Sequence, residues 1–177
     1  MEQKKIVFPL TKQDLDTLHA GDVVLLTGTV YTARDVAHKR LAALLEAGAP
    51  LPFPLEGACI YYAGPCPAAP GEVIGPCGPT TSGRVDGYTP ALIARGMSAM
   101  LGKGARSQAV KDAMAGKAVY FAATGGAAYL IAQCVKQAEV IAFPELGAEA
   151  VRKLLVEDLP AIVAIDAQGG DLFFRET

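Results

Sequence analysis

The stretch KAVYFAATGGAAYLIAQCVKQAEVIAF, residues 117–143, shows the alternation on which the fold depends. Its first six residues favour a buried strand, the glycines at 125–126 predict a turn, and residues 127–137 favour a helix. A strand at 140–143, a helix at 148–157 and a strand at 161–166 continue the pattern. Because strands that alternate with helices form parallel sheets with helical crossovers, the sequence favours the α/β class.

The rest of the chain follows the same plan with one exception. Strands are predicted at 6–8 and 23–27, and helices at 11–18, 35–47, 89–101 and 107–115. The exception is the segment 50–79, where eight prolines exclude long helices. Short extended segments at 58–63 and 72–74 are predicted there.

Length and composition narrow the class of protein. The 177 residues fit a single domain, 1–177, with 51% hydrophobic and only 7% aromatic residues. A net charge of −2 without a basic block predicts neither a nucleic-acid nor an anionic-membrane partner. Acidic residues and a proline in the first sixteen residues do not fit a signal peptide, so a cytoplasmic location is expected.

The cysteines do not favour a metal site built within this chain. There are four, with no C-x-x-C pair, and only two histidines are available as further ligands: Cys59, Cys66, Cys77, Cys134, His19 and His38. Because cytosolic proteins keep their thiols reduced, disulfides are not expected either. We predict no metal ligands in this chain.

The loop GPCGPTTSGRVDGY, residues 75–88, has the composition of an anion-binding loop. Glycines let backbone N–H groups approach a ligand, the hydroxyls of Thr80 and Thr81 can donate hydrogen bonds, and Arg84 can bind a carboxylate bidentately. The alternative is a tight turn before a helix in which the threonines only cap.

A second loop, TGTVYTARDVAHKR at 27–40, also leads into a helix. Arg34 lies at the junction, and Asp35 suits the positive end of the helix dipole. His38 lies about one turn further on, within reach of either residue. A single histidine on a helix is more often structural than catalytic, and both interpretations stay open.

Two shorter motifs complete the set of candidates. Lys103 lies between two glycines in GKG, where it either faces a ligand or only compensates a helix dipole. ATGGAA at 123–128 opens a helix after a strand, a geometry that suits anions, but it lacks the nucleotide-binding patterns. Donors and cations at the ends of predicted strands together suit a small dianion.

Five of these stretches, in this order, resemble the carboxyl-terminal domain of class I, iron–sulfur-dependent fumarase and the β subunit of L-tartrate dehydratase. They are GTVYTARDVAHKR at 28–40, YYAGP at 61–65, GPTTSGRVD at 78–86, GKG at 102–104 and ATGGAA at 123–128. The resemblance implies a swivelling β/β/α three-layer domain with a mainly parallel sheet. It also implies a hetero-oligomer with an α subunit, whose own cysteines hold a [4Fe-4S] cluster.

The resemblance further implies a hydro-lyase that adds or removes water on a small dicarboxylate substrate, fumarate or tartrate. Thr80 would be the catalytic residue that moves the carbon-bound proton. The substrate would be bound by Arg34, Arg84, Lys103 and Thr81. His38 and Asp35 would lie one layer behind them, with His38 orienting Arg34 or Asp35. A binding module that recognises a dicarboxylate without turning it over is the alternative, since the same residues would serve it.

Overall fold

A computed structural model describes residues 2–123 and 126–174. The strands are β1 (Lys4–Val7), β2 (Val23–Thr32), β3 (Cys59–Tyr61), β4 (Ala99–Gly102), β5 (Val119–Ala122), β6 (Val135–Ala142) and β7 (Val151–Ile165). The α-helices are α1 (Lys12–Thr17), α2 (Asp35–Glu46), α3 (Thr89–Ala94), α4 (Gln108–Met114) and α5 (Ala128–Cys134). Turns of 3-10 helix cover Ser82–Val85 and Pro144–Glu149.

Five of the strands close into a barrel. β2, β3, β4 and β5 lie side by side in parallel, and β7 pairs antiparallel with both β5 and β2. The sheet therefore closes on itself through β7. β1 lies parallel to β2, and β6 lies antiparallel to β7.

Each strand of the barrel contributes to two apolar clusters, because successive side chains point to opposite faces. In β3, Cys59 and Tyr61 belong to one cluster and Ile60 to the other. The cluster of Ile60 also contains Leu41 of α2 and Leu92 of α3, so helices cover this outer face. Residues of α1 and α5 join the other cluster.

The predicted architecture is wrong. We expected a mainly parallel sheet in a swivelling β/β/α three-layer domain, whereas the sheet is mixed and closes into a five-stranded barrel. The difference arises in residues 135–165, where the two long strands β6 and β7 replace the end of the helix predicted at 127–137 and most of the helix predicted at 148–157. Because β7 is fifteen residues long, it pairs with β2, β5 and β6 at once.

Most of the helix predicted at 148–157 lies in β7 instead, from Val151 onwards. Val151, Leu154 and Leu155 have helical spacing, but pairing with β2 and β6 satisfies the backbone of the segment in extended form. The helix predicted at 89–101 ends at Ala94, and β4 follows after Gly96, whose φ of 106° a helix does not allow. Residues 72–74 form no strand.

Other local predictions are confirmed. The helices predicted at 11–18 and 107–115 contain α1 and α4. Thr11 caps α1 in a capping box with Asp14, and Ser107 caps α4 by accepting from the Val110 N–H. The predicted helix at 35–47 corresponds to α2, and the predicted strand at 117–122 contains β5. Within the described ranges, no helix has the length and apolar character that a membrane crossing requires.

Candidate functional site

Thr80 and Thr81 lie beside the carboxyl end of the parallel strands. The Thr80 N–H and hydroxyl both donate to the Tyr62 carbonyl, at 2.7 and 2.9 Å. Thr81 forms a parallel bridge with Lys103, and the Ser82 N–H donates to the Lys103 carbonyl at 3.0 Å. The loop is therefore fixed like a short extra strand between the ends of β3 and β4.

Gly102 makes this close approach possible. A Cβ at position 102 would lie 2.7 Å from the Tyr62 ring and would overlap the Ser82 hydroxyl. That hydroxyl bonds to the Tyr120 hydroxyl at 2.8 Å, which in turn donates to the Gly104 carbonyl. The glycine of the GKG motif thus serves the packing of the threonine loop.

Arg84 and Lys103 are exposed at this end of the barrel. Arg84 lies in the 3-10 turn Ser82–Val85, and Lys103 follows β4 directly. Neither forms an ion pair within residues 2–123 and 126–174. Both cations are therefore open to an anionic ligand near Thr80.

Arg34 follows the neighbouring strand β2. The Ala33 N–H donates to the Tyr61 carbonyl, so Arg34 emerges beside the start of the YYAGP segment. Its side chain crosses Gly64, where a Cβ would lie 2.8 Å from the arginine Cδ. The arginine Nε is buried and has no hydrogen-bond partner in the described part of the chain.

His38 lies behind Arg34, fully buried. Its Nδ1 is 2.8 Å from the Arg34 carbonyl, which only accepts, so Nδ1 holds the hydrogen. Burial lowers the pKa of His38 to about 4, with a smaller contribution from Arg106. The imidazole is therefore neutral near pH 7. It contacts the backbone of Arg34 rather than the guanidinium, and Asp35 makes no side-chain hydrogen bond among the described residues.

The structure thus brings together the predicted site residues of three neighbouring loops. Arg34 follows β2, the Thr80 loop is bonded to Tyr62 after β3, and Lys103 follows β4. Thr124 of the fourth predicted motif, together with Gly125, lies outside the described residues. Thr81, Arg84 and Lys103 are exposed, so this end of the barrel presents an open surface around Thr80.

Sequence reasoning missed Arg106. Its side chain is fully buried, and its Nε donates to the Asp86 carboxylate at 2.7 Å. Its Nη2 donates to the Tyr62 hydroxyl at 3.2 Å and to the Thr89 hydroxyl at 3.0 Å. The only signal in the sequence is an arginine three residues after Lys103 and next to the cap of α4.

The thiols of this chain do not fit an iron–sulfur cluster. Cys59 and Cys77 are buried in the core, and burial raises the pKa of both, that of Cys77 to about 12. Cluster ligands are thiolates, which such burial disfavours, and this leaves only Cys66 and Cys134, fewer than a cluster needs. Within the described ranges no three His, Cys, Asp or Glu residues are grouped as a metal site.

Fold and site together define a small barrel domain that presents cations and hydroxyls at one end of its parallel strands. The chain belongs to the fumarase C-terminus family, whose model matches residues 2–176. It is 46% identical to "Fumarate hydratase class I, anaerobic" of Escherichia coli and 41% identical to "Fumarate hydratase 2" of Leishmania major, over 84% and 93% of this chain. It spans only 28% and 29% of those two proteins.

A relative of similar length is also found. "Putative L(+)-tartrate dehydratase subunit beta" of Methanocaldococcus jannaschii is 39% identical over 93% of this chain and 88% of its own length. The predicted resemblance to both groups is confirmed.

Proposed function

We propose that this chain is the β part of a class I hydro-lyase that reversibly hydrates a four-carbon dicarboxylate, fumarate to malate. The observation that carries the proposal is the grouping of Thr80, Arg34, Arg84 and Lys103 at one end of the barrel, in a chain of this family. Two carboxylates need cations on two sides, and the loops after β2 and β4 supply them.

In this proposal the cations hold the substrate and Thr80 moves the proton on carbon. Arg84 and Lys103 flank the threonine loop, and Arg34 approaches from β2. The Thr80 hydroxyl hydrogen points to the Tyr62 carbonyl, because a carbonyl can only accept. A neutral hydroxyl is too weak a base to take a proton from carbon, so in this proposal Thr80 first releases its own hydroxyl proton to solvent. The nearby cations favour both the alkoxide and the negative charge that develops on the substrate.

The remaining chemistry is assigned to a partner. Because the thiols of this chain do not fit a [4Fe-4S] cluster, we place the cluster and the Lewis acid that it provides on an α subunit. The open surface around Thr80 agrees with a site that a second protein surface closes. A cytoplasmic hetero-oligomer remains part of this proposal.

L-tartrate is the second candidate substrate. The match to the tartrate dehydratase subunit over most of its length favours it, whereas the fumarate hydratases show the higher identities. Both substrates are four-carbon dicarboxylates, which the same cations would bind. A non-catalytic dicarboxylate-binding module would use these residues as well.

The test is an assay of the chain reconstituted anaerobically with an α subunit that has cluster cysteines. We expect fumarate hydration to exceed L-tartrate dehydration, and we expect the purified chain alone to be inactive and without iron–sulfur absorbance. Faster tartrate turnover would favour the second candidate. Dicarboxylate binding without turnover of either substrate would support the binding module and contradict the enzyme.

A further inference from the structure

Arg106 is tied to both ends of the segment that contains Thr80 and Arg84. At one end it donates to the Tyr62 hydroxyl, and the carbonyl of the same tyrosine accepts both hydrogen bonds from Thr80. At the other end it donates to Asp86, two residues after Arg84. A single buried guanidinium is therefore linked to Thr80 through Tyr62 and to the end of the Arg84 turn through Asp86.

The surroundings of Arg106 fix its plane as well as its charge. Its guanidinium carbon lies 5.2 Å from the centre of the Tyr62 ring and 4.9 Å from that of Tyr120. Its Nη1 contacts the Met100 sulfur at 3.4 Å. Three donor nitrogens thus have partners in one plane, which a lysine ammonium cannot reproduce.

The second carboxylate oxygen of Asp86 extends this arrangement. It accepts from the Ser107 N–H at 2.6 Å, which ties the loop to the start of α4. Thr89 accepts from Arg106 and donates to the Val85 carbonyl at 2.9 Å. The turn that holds Arg84 is therefore bonded at its end to the same buried cation.

We propose that Arg106 is a positioning residue that sets Thr80 through Tyr62 and Arg84 through Asp86, without touching the substrate. The inference rests on the proposed function for its kinetic consequence, but the positioning itself is a property of this chain. The two branches give separable effects. The Tyr62 branch acts on the proton-moving residue and so on kcat, and the Asp86 branch acts on the substrate clamp and so on KM.

The kinetic experiment uses the reconstituted enzyme. Tyr62→Phe removes only the hydroxyl that meets Arg106, and we expect kcat to fall about tenfold with little change in KM. Asp86→Asn removes the charge partner, and we expect KM to rise about tenfold with a smaller change in kcat. Arg106→Lys should combine both losses, and Tyr62→Phe should add little in that background.

A matched control separates positioning from loss of stability. Lys111→Gln removes the ion pair with Asp171 at 3.1 Å, which is also largely shielded from solvent and lies outside the threonine loop. We expect this variant to lower the melting temperature and to leave kcat and KM at parent values. If Arg106→Lys changes kcat and KM no more than Lys111→Gln does, the positioning role is wrong.

Hydrogen–deuterium exchange of the full chain tests the positioning without turnover. We expect Tyr62→Phe and Arg106→Lys to speed exchange at 80–88, where the amides of Thr80 and Ser82 are bonded, and to leave 119–122 protected. Unchanged exchange at 80–88, or an equal increase throughout, would overturn the inference. If Arg106→Lys does not fold, Tyr62→Phe and Asp86→Asn decide, and an inactive parent enzyme would contradict only the proposed function.

Discussion

Two arginines on opposite sides of the site differ in how completely the chain binds them. Nε, Nη1 and Nη2 of Arg106 all have partners, and its guanidinium carbon lies 5.2 and 4.9 Å from the centres of two tyrosine rings. The Nε of Arg34 is buried without a hydrogen-bond partner in the described ranges, and the same is true of His38 Nε2. On the Arg106 side of the site, the donor nitrogens have partners within this chain. On the Arg34 side, two buried nitrogens have none among the described residues.

The difference indicates which side of the site this chain holds in place by its own hydrogen bonds. A buried polar atom without a partner costs about 1–3 kcal/mol, so proteins rarely leave one without a use. The threonine side is preorganised by this chain, whereas the Arg34 side has a buried donor and a buried acceptor without partners among the described residues. Each prediction below tests one side of this contrast, in order of expected size.

The largest effect is expected from Thr80→Val in the reconstituted enzyme. The variant keeps the shape and the backbone bond to Tyr62, so we expect binding and folding to change by only about 1 kcal/mol. Turnover should fall at least a thousandfold, about 4 kcal/mol, because the group that moves the proton is lost. Steady-state kinetics and exchange of the substrate C3 hydrogen with solvent measure both.

Thr81→Val is the matched control. Thr81 is exposed and reaches Lys103 only through its backbone bridge, so its hydroxyl should matter little for turnover. Equal losses from the two variants, caused only by weaker binding, would contradict the catalytic role of Thr80. The threonine side would then be an anion-binding loop.

The next largest effect is expected for stability in acid. The pKa of His38 is lowered to about 4 in the folded chain, from about 6.5 in the unfolded chain, so the unfolded state binds more protons between these values. Stability from this group is present above pH 6.5 and is lost as the pH falls towards 4, by about 3 kcal/mol in all. Urea unfolding at several pH values measures it.

His38→Gln provides the comparison, because an amide can still donate to the Arg34 carbonyl but does not titrate in this range. We expect its stability to depend less on pH between 6.5 and 4. A profile of His38→Gln as steep as that of the parent would show that His38 is not the group responsible.

The grouping of the site could be predicted from sequence, and the barrel could not. Loops that follow parallel strands meet at one end of a sheet, so Arg34 was expected near the threonine loop. Lys103 was predicted to follow a helix at 89–101, and it lies at the same end because it follows β4 instead. β7 has helical spacing at Val151 and Leu154, and it is a strand because it pairs with β6 and with β2, which is more than a hundred residues away. Long-range pairing has no local signal.

Arg106 was missed for the same physical reason. Its partners Tyr62, Asp86 and Thr89 lie 44, 20 and 17 residues away, and none has a fixed spacing from it in a helix or strand. The unsatisfied atoms of Arg34 and His38 are equally invisible in a sequence. A sequence motif identifies the residues that face a ligand more readily than it identifies the buried residues that hold those side chains in position.

A smaller effect is expected from Arg84→Lys. Arg84 is exposed and makes no side-chain hydrogen bond among the described residues, so the melting temperature should stay at the parent value, unlike that of Arg106→Lys. We expect a loss of about 2 kcal/mol in kcat/KM, because lysine keeps the charge but not the planar fork that fits a carboxylate. Activity within a few-fold of the parent would show that Arg84 does not bind the substrate.

The smallest effects are expected from two buried serines. One has a hydrogen-bonded hydroxyl and the other an unpaired one, which is the same contrast as between Arg106 and Arg34. Ser82 bonds to the Tyr120 hydroxyl at 2.8 Å, whereas the hydroxyl of Ser98 is buried without a partner in residues 2–123 and 126–174. Removing a satisfied hydroxyl costs a hydrogen bond, but removing an unsatisfied one removes only a desolvation penalty. Ser82→Ala should therefore lower the free energy of unfolding by about 1 kcal/mol, and Ser98→Ala should leave it unchanged or raise it by up to about 1 kcal/mol.

Urea unfolding of the two variants at pH 7.5, where His38 does not titrate, gives the comparison. Equal destabilisation by both would mean that Ser98 has a partner in solution, such as a bound water molecule, and that a hydroxyl unpaired in the structure is not a guide to stability here.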